Sequence, residues 1–117
     1  MTARVRIENL QDVHVADAGH LTPEEIRAVE VEDALVDTGM TGFGIPTRLI
    51  HQLGLTLLRK RTGLTAAGQR EHGVYSVVRL VIQERECIID VTEVPDACPV
   101  LIGQVPLEIL DFVVDPI

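Results

Sequence analysis

Aromatic side chains are nearly absent from this sequence, which has no tryptophan, one tyrosine and two phenylalanines among 117 residues. The hydrophobic share of 46% therefore rests on aliphatic side chains, chiefly Val, Ile and Leu. Such a composition favours short β-strands that pack in a small barrel. A chain of this length is large enough for one core. We therefore expect a single, mainly β domain over residues 1–117.

Basic residues are also scarce, since 10 Lys and Arg are set against 18 Asp and Glu. The formal net charge is −8 and the sequence pI is about 4.8. Phosphate backbones and anionic membrane surfaces repel so acidic a chain, so we expect neither nucleic acid nor a membrane as partner. The only basic run, residues 59–61, is interpreted as a solvated face.

Cysteines and long apolar runs are few as well. Cys87 and Cys98 lack metal-ligand spacing and the four histidines are scattered, so no metal or organic cofactor is expected. Two lone cysteines are more often reduced thiols, although the sequence leaves a disulfide between them open. No apolar run reaches the roughly 18 to 20 residues of a membrane span, and no signal segment is visible. These absences predict a cytoplasmic protein.

A carboxylate stands at the end of an apolar run in the stretch Ala34-Leu35-Val36-Asp37-Thr38-Gly39. The apolar run predicts a buried strand, and Gly39 predicts the turn that ends it. Asp37 is then expected at the end of a rigid strand, at the edge of a core with little water around it. A carboxylate in such a place is costly unless it is paired or has a chemical task. Asp37 is therefore the candidate catalytic residue.

The Asp-Thr-Gly triplet after a hydrophobic strand resembles the catalytic motif of aspartic proteases, specifically the retroviral-type (retropepsin-like, clan AA) enzymes. Downstream, Pro99-Val100-Leu101-Ile102-Gly103 resembles the second family signature, a hydrophobic strand that ends in glycine before the C-terminal helix. The resemblance covers roughly residues 28 to 116. It implies a small closed β-barrel with one short C-terminal helix, in a homodimer.

The resemblance also implies peptide-bond hydrolysis by two carboxylates that lie a hydrogen bond apart, share one proton and hold one water. The ionised member takes a proton from the water as the water attacks, and the protonated member supports the developing oxyanion. This chain has one triplet and no room for a second lobe. The implied enzyme is therefore a homodimer with one Asp37 from each subunit, acting on peptide or protein substrates.

Other residues acquire roles from the same resemblance. Thr38 would hydrogen-bond across the two-fold axis, and Gly39 would let the backbone approach closely and leave room for substrate. Gly103 would pass beneath the active-site loop, where a side chain would clash. The terminal strands, residues 3–9 and 112–114, would join the dimer sheet or simply complete their own barrel.

Substrate contacts are expected from a hairpin over residues 62–81, with its tip near residues 68–73, where the family has its flap. The position after the triplet is usually Ala or Ser in the family, so Met40 is a departure. Its long side chain could narrow the cleft towards small substrate residues, or could stop productive binding. Tyr75 is equally explained as an ordinary strand residue. The candidate substrate-binding residues are Met40, Gly68, Gln69, Arg70, Gly73 and Tyr75.

The rest of the chain shows short strand patterns and brief helical turns. Strands are predicted at residues 3–9, 12–16, 28–36, 55–61, 86–91, 100–102 and 112–114. Helical segments are predicted at residues 21–27, at 46–53 with Gly54 as C-cap, and at 106–110. Asp90 lies in an apolar run without a following Thr-Gly, so it is interpreted as a structural or outward-facing residue.

The function predicted from the sequence is that of a homodimeric aspartic endopeptidase. A non-catalytic binding or dimerisation module that keeps the fold is the alternative, favoured by Met40 and by the charged hairpin tip. An unrelated small acidic β-barrel is the third reading.

Overall fold

The computed structural model describes residues 1–65 and 68–111, without the side chains of 63–65 and 68–70. In chain order the elements are β1 (Thr2–Asn9), α1 (Leu10–Asp17), a 3₁₀ turn (Pro23–Glu25), β2 (Ala28–Val36), β3 (Phe43–Pro46), α2 (Thr47–Leu53), β4 (Leu57–Thr65), β5 (Gly68–Ile82), β6 (Arg85–Val94), β7 (Leu101–Ile102) and α3 (Gln104–Ile109). No helix in this part of the chain is long and apolar enough to cross a membrane.

Six of the described strands close into a barrel. Their order is β1-β2-β7-β3-β6-β5, and β1 pairs again with β5 to complete the ring. Ile7 of β1 sits at this closure, opposite Val29 of β2 on one side and Leu80 of β5 on the other. Closure leaves these six strands without a free edge. The expected mainly β closed barrel is therefore confirmed. Strand β4 lies outside the ring and pairs with β5.

The core is aliphatic and follows the alternation of the strands. In β6, Cys87, Ile89 and Val91 are buried, whereas Ile88 and Asp90 face outward. Asp90 is exposed and forms an ion pair with Arg59 at 3.4 Å, as expected for an outward-facing strand residue. The alternation is the period-two signature of a strand with one face on a core.

The expected strand over residues 12–16 is wrong, because these residues lie in helix α1. Asn9 caps the helix by accepting the Asp12 N–H at 3.1 Å. The Asp12 carboxylate accepts two hydrogen bonds from the Arg27 guanidinium, at 2.8 and 3.0 Å. The Asn9 side chain thereby satisfies a backbone N–H that a strand would have paired in its ladder. The alternation of Val13 and Val15 was misleading, since only Val13 is buried.

The other helical predictions agree with the structure. Thr22 and Glu25 form a capping box on the 3₁₀ turn. Helix α2 ends at Gly54, whose left-handed φ of 66° suits a glycine C-cap. Helix α3 is the expected short C-terminal helix. Helix α1, near the N-terminus, was not predicted from the sequence.

The β4–β5 hairpin extends further than expected. The two strands are paired from Leu57 opposite Tyr75 to Thr65 opposite Gly68. Residues 69–73 therefore lie within β5 and not at the tip, which corrects the predicted tip at 68–73. The predicted strand over 112–114 lies outside the described residues.

A buried ion pair strengthens the closure of the barrel. Glu8 of β1 is 6% exposed and accepts hydrogen bonds from Arg79 of β5 at 2.6 Å and from Arg6 at 3.2 Å. Burial by itself raises the pKa of Glu8, but the two arginines outweigh it and the pKa lies below its ordinary value. The closing strand pair is therefore held by charge as well as by its ladder.

Candidate active site

Asp37 lies directly after β2, where the strand is held by β7. The two strands run parallel, with Leu35 opposite Leu101 and Val36 opposite Ile102. The Asp37 N–H continues this ladder by donating to the Ile102 carbonyl at 2.9 Å. The backbone of Asp37 is therefore held by two neighbouring strands of the barrel, β2 and β7.

A tight turn follows and orients the Asp37 carboxylate. The Met40 N–H donates to the Asp37 carbonyl at 3.1 Å, and the Gly39 N–H donates to Asp37 Oδ1 at 3.0 Å. A Cβ on Gly39 would lie 3.2 Å from that same oxygen. Glycine thus leaves the carboxylate room to accept the backbone hydrogen bond.

The segment that begins α3 supports this loop from below. The N–H groups of Gly103, Gln104 and Val105 donate to the carbonyls of Gly42, Met40 and Thr41 at 2.9, 2.8 and 2.9 Å respectively. The first N–H groups of a helix have no acceptor within the helix, and here three of them find acceptors in the loop. A Cβ on Gly103 would lie 2.6 Å from the Met40 carbonyl oxygen and would also meet that of Gly42. A glycine is required here by contact.

The loop is more open to solvent than the sequence suggested. Asp37 is half-buried, and Thr38 and Gly39 are exposed. The expectation of a carboxylate with little water around it is therefore wrong for the single chain. The reason is that β2 ends at the barrel surface, so the turn projects from it and no part of the described chain covers Thr38.

Met40 is turned towards its own barrel. Its Cε lies 3.0 Å from the point where a Cβ on Gly44 would stand, next to Val94 Cγ1 and Leu101 Cβ at 3.1 and 3.4 Å from that point. The side chain therefore packs against β3. The sequence left open whether this side chain narrows the cleft or stops productive binding, and it could not give the direction of the side chain.

The candidate substrate-binding residues of the hairpin lie in two separate places. Gly73 and Tyr75 lie near the base of the hairpin, where the Tyr75 hydroxyl donates to Glu93 Oε1 at 3.4 Å. Burial and the Glu93 charge raise the pKa of Tyr75. The backbone of Gly68, Gln69 and Arg70 lies at the far end of the hairpin, opposite residues 63–65.

Glu93 of β6 lies at the base of the β4–β5 hairpin beside Tyr75, and the sequence did not suggest it as a site residue. Its Oε2 accepts the Thr47 hydroxyl at 2.7 Å, so the carboxylate joins β6 to the start of α2 as well as to Tyr75. A cleft of about 260 Å³ beside it is lined by Glu71, His72 and other residues. The available signal was a charged residue at an inward-facing position of β6, two residues after buried Val91.

Comparison with known proteins decides the family. The sequence model described as aspartyl protease matches residues 23–109, a span that holds both Asp37 and Gly103. The chain belongs to the aspartyl protease family.

Solved structures of other proteases share this fold. The simian foamy virus (mac) protease is similar, with a TM-score of 0.59 and 14% identity, over 95% of this chain and 96% of that one. The EIAV protease in complex with the inhibitor HBY-793 is similar too, with a TM-score of 0.61 and 18% identity, over 99% and 92%. At these identities the likeness concerns the fold. No curated protein matches the sequence.

Proposed function

We propose that this aspartyl protease-family chain is a homodimeric endopeptidase in which the Asp37 carboxylates of two copies hold and activate one water. The observation that carries the proposal is the Asp37 loop. Its carboxylate follows a strand held in the barrel, accepts the Gly39 N–H at 3.0 Å, and stands on a loop supported by three further backbone hydrogen bonds. Such a preorganised carboxylate is what acid–base catalysis needs.

The second carboxylate has to come from another copy. The chain has one Asp-Thr-Gly triplet, and its exposed Thr38 and Gly39 leave the edge of the loop free to meet a partner. A two-fold axis beside the loop would bring the two Asp37 side chains together. Thr38 would then bond across the axis, and Gly39 would leave room for substrate.

In the proposed reaction the two carboxylates share one proton, because like charges a hydrogen bond apart do not both ionise easily. The ionised one removes a proton from the water as the water oxygen attacks the peptide carbonyl. The protonated one donates to the developing oxyanion. The two apparent pKa values belong to the pair and not to one subunit.

The proposed substrate is a peptide or protein segment that lies between the Asp37 loop and the β4–β5 hairpin. Met40 lies on the loop side. Gly68, Gln69 and Arg70 lie in the outer part of the hairpin, and Gly73 and Tyr75 lie near its base. The similar EIAV protease structure holds the inhibitor HBY-793, which is consistent with a ligand cleft in this fold.

The test is cleavage of a mixed peptide library by purified protein, from acidic to neutral pH, for the wild type and for Asp37→Asn. Asp33→Asn is the matched control, because Asp33 is an exposed carboxylate in β2, four residues before Asp37. Sedimentation of all three proteins gives their oligomeric state. We expect cleavage by the wild type and by Asp33→Asn, loss of cleavage in Asp37→Asn, and dimers throughout.

A monomeric wild type would contradict the proposal, because a lone Asp37 has no partner. A folded dimer that cuts no peptide would favour the second candidate, a non-catalytic binding module with this fold. Met40 in place of a small residue is the observation that favours this candidate. The cytoplasmic location stays a prediction from the sequence.

A further inference from the structure

A row of outward-facing positions crosses the barrel wall beside Asp37. Leu101 of β7 is opposite both Leu35 of β2 and Gly44 of β3. Side chains alternate between the two faces of a strand, and the sequence neighbours of these three positions point into the core. Asp37, two residues after Leu35, is on the same outward face. The neighbours at 1% exposure or less are Ala34, Phe43, Ile45 and Ile102.

Gly44 leaves a gap in this row, and Met40 fills it. A Cβ on Gly44 would stand 3.0 Å from Met40 Cε and 3.1 Å from Val94 Cγ1, which is tighter than ordinary contact. Positive φ among the described glycines is confined to Gly19 and Gly54. The backbone therefore does not require a glycine at position 44. The glycine instead leaves the space that the Met40 methyl group occupies.

We propose that Met40 determines substrate specificity by acting as the missing side chain of position 44. With Leu101 and Val94, its methyl group forms a filled apolar floor beside Asp37. A substrate side chain that faces this floor next to the scissile bond has to be small, because the space below it is taken. This inference rests on the proposed endopeptidase function and adds a side-chain preference to it.

The size of the effect follows from the atoms involved. Met40→Ala removes three heavy atoms and reopens the gap above Gly44. In an apolar pocket, one methylene changes the specificity constant by roughly 10- to 200-fold. Replacing a small substrate residue by leucine adds three carbons. We therefore expect Met40→Ala to raise the kcat/KM ratio of leucine to alanine substrates by at least about 10-fold.

The experiment uses one cleaved peptide, varied to Ala, Val or Leu at the positions on either side of the scissile bond. Wild type, Met40→Ala, and the double variant Met40→Ala with Gly44→Ala are compared. The double variant returns a methyl group to the gap and should move the preference back towards alanine. Ile88→Ala is the control truncation, since Ile88 is an exposed residue six positions before Val94 in β6. An unchanged preference in Met40→Ala would overturn the inference while cleavage itself upholds the proposed function.

A second readout does not depend on turnover. The chain has two methionines, and Met1 is 72% exposed, so ¹³C-methyl labelling gives one packed signal from Met40. We expect nuclear Overhauser contacts from this methyl to Gly44 Hα and Val94, and a shift when the alanine peptide is added to Asp37→Asn. The absence of these contacts, or a methyl that no peptide shifts, would overturn the inference. Protein that shows both but cuts nothing in its wild-type form would refute the endopeptidase function alone.

Discussion

Replacing Gly103 by alanine should destabilise the protein through contact with the active-site loop. The added Cβ would lie 2.6 Å from the Met40 carbonyl oxygen and 2.8 Å from its carbonyl carbon. These are backbone atoms, so they cannot move aside by a rotamer change. Gly103 has φ −86° and ψ −171°, which alanine adopts without strain. The cost therefore comes from overpacking and from lost hydrogen bonds.

The magnitude follows from what the loop has to give up. Overpacking alone costs about 1–3 kcal/mol. Moving the loop away stretches the bonds of Gly103 N to Gly42 O and of Gln104 N to Met40 O, now 2.9 and 2.8 Å. Each such bond is worth about 0.5–1.5 kcal/mol net. We expect Gly103→Ala to lower the free energy of unfolding by about 2–6 kcal/mol.

The assay is urea unfolding at one fixed protein concentration, because any dimerisation makes stability depend on concentration. The matched control is Gly42→Ala in the same loop, where the nearest atom to an added Cβ is Thr92 Oγ1 at 3.9 Å. That variant should stay within about 1 kcal/mol of the wild type, as expected for ordinary contact. Equal stability of Gly103→Ala and Gly42→Ala would refute the argument that contact requires a glycine at position 103.

Three further predictions concern single groups. The pKa of Asp12 is lowered, chiefly by its hydrogen bond from the Arg27 side chain. The ionised carboxylate therefore contributes its full stability above the pKa of the unfolded chain, near 4, and this stability is lost as the pH falls through the pKa of the folded chain. Asp12→Asn should therefore destabilise at pH 7 by about 1–2 kcal/mol and flatten the acid loss seen in unfolding curves. Tyr75, the only tyrosine, should titrate in the ultraviolet above its ordinary pKa because of burial and the Glu93 charge. The thiol of Cys87 is buried, with its pKa raised by burial, so a thiol reagent should reach it only in urea.

Each of these has its own control. Asp17→Asn, at an exposed position in the same helix, should lower the free energy of unfolding at pH 7 less than Asp12→Asn does. Glu93→Gln should lower the Tyr75 titration towards that of free tyrosine, and a Tyr75 that already titrates there would contradict the assigned contact. Modification of two thiols in the native protein at equal rates would contradict the burial of Cys87.

Local patterns predicted much of the secondary structure because their signals lie within a few residues. The run before Asp37 and the cap at Gly54 belong to this class. The helix over residues 10–17 was missed because its stabilising partner, Arg27, is 15 residues from Asp12. The hairpin tip was misplaced because the pairing register, such as Lys60 opposite Gly73, depends on β5 and β6 as well as on local turn residues.

The sequence by itself determined the composition of the core, the strand that leads to Asp37, and the family resemblance of the Asp-Thr-Gly triplet. Hydrophobic runs and turn residues act over short distances, so their pattern is visible in one dimension. Only the tertiary structure decided where side chains point. It placed the Met40 methyl group over Gly44 and brought Glu93 to Tyr75. The Tyr75–Glu93 contact joins β5 to β6, and strand order and register, which a pattern of residues does not specify, decide which residues of two strands meet. The position of the Met40 methyl group depends on how the loop after β2 packs against β3, β6 and β7.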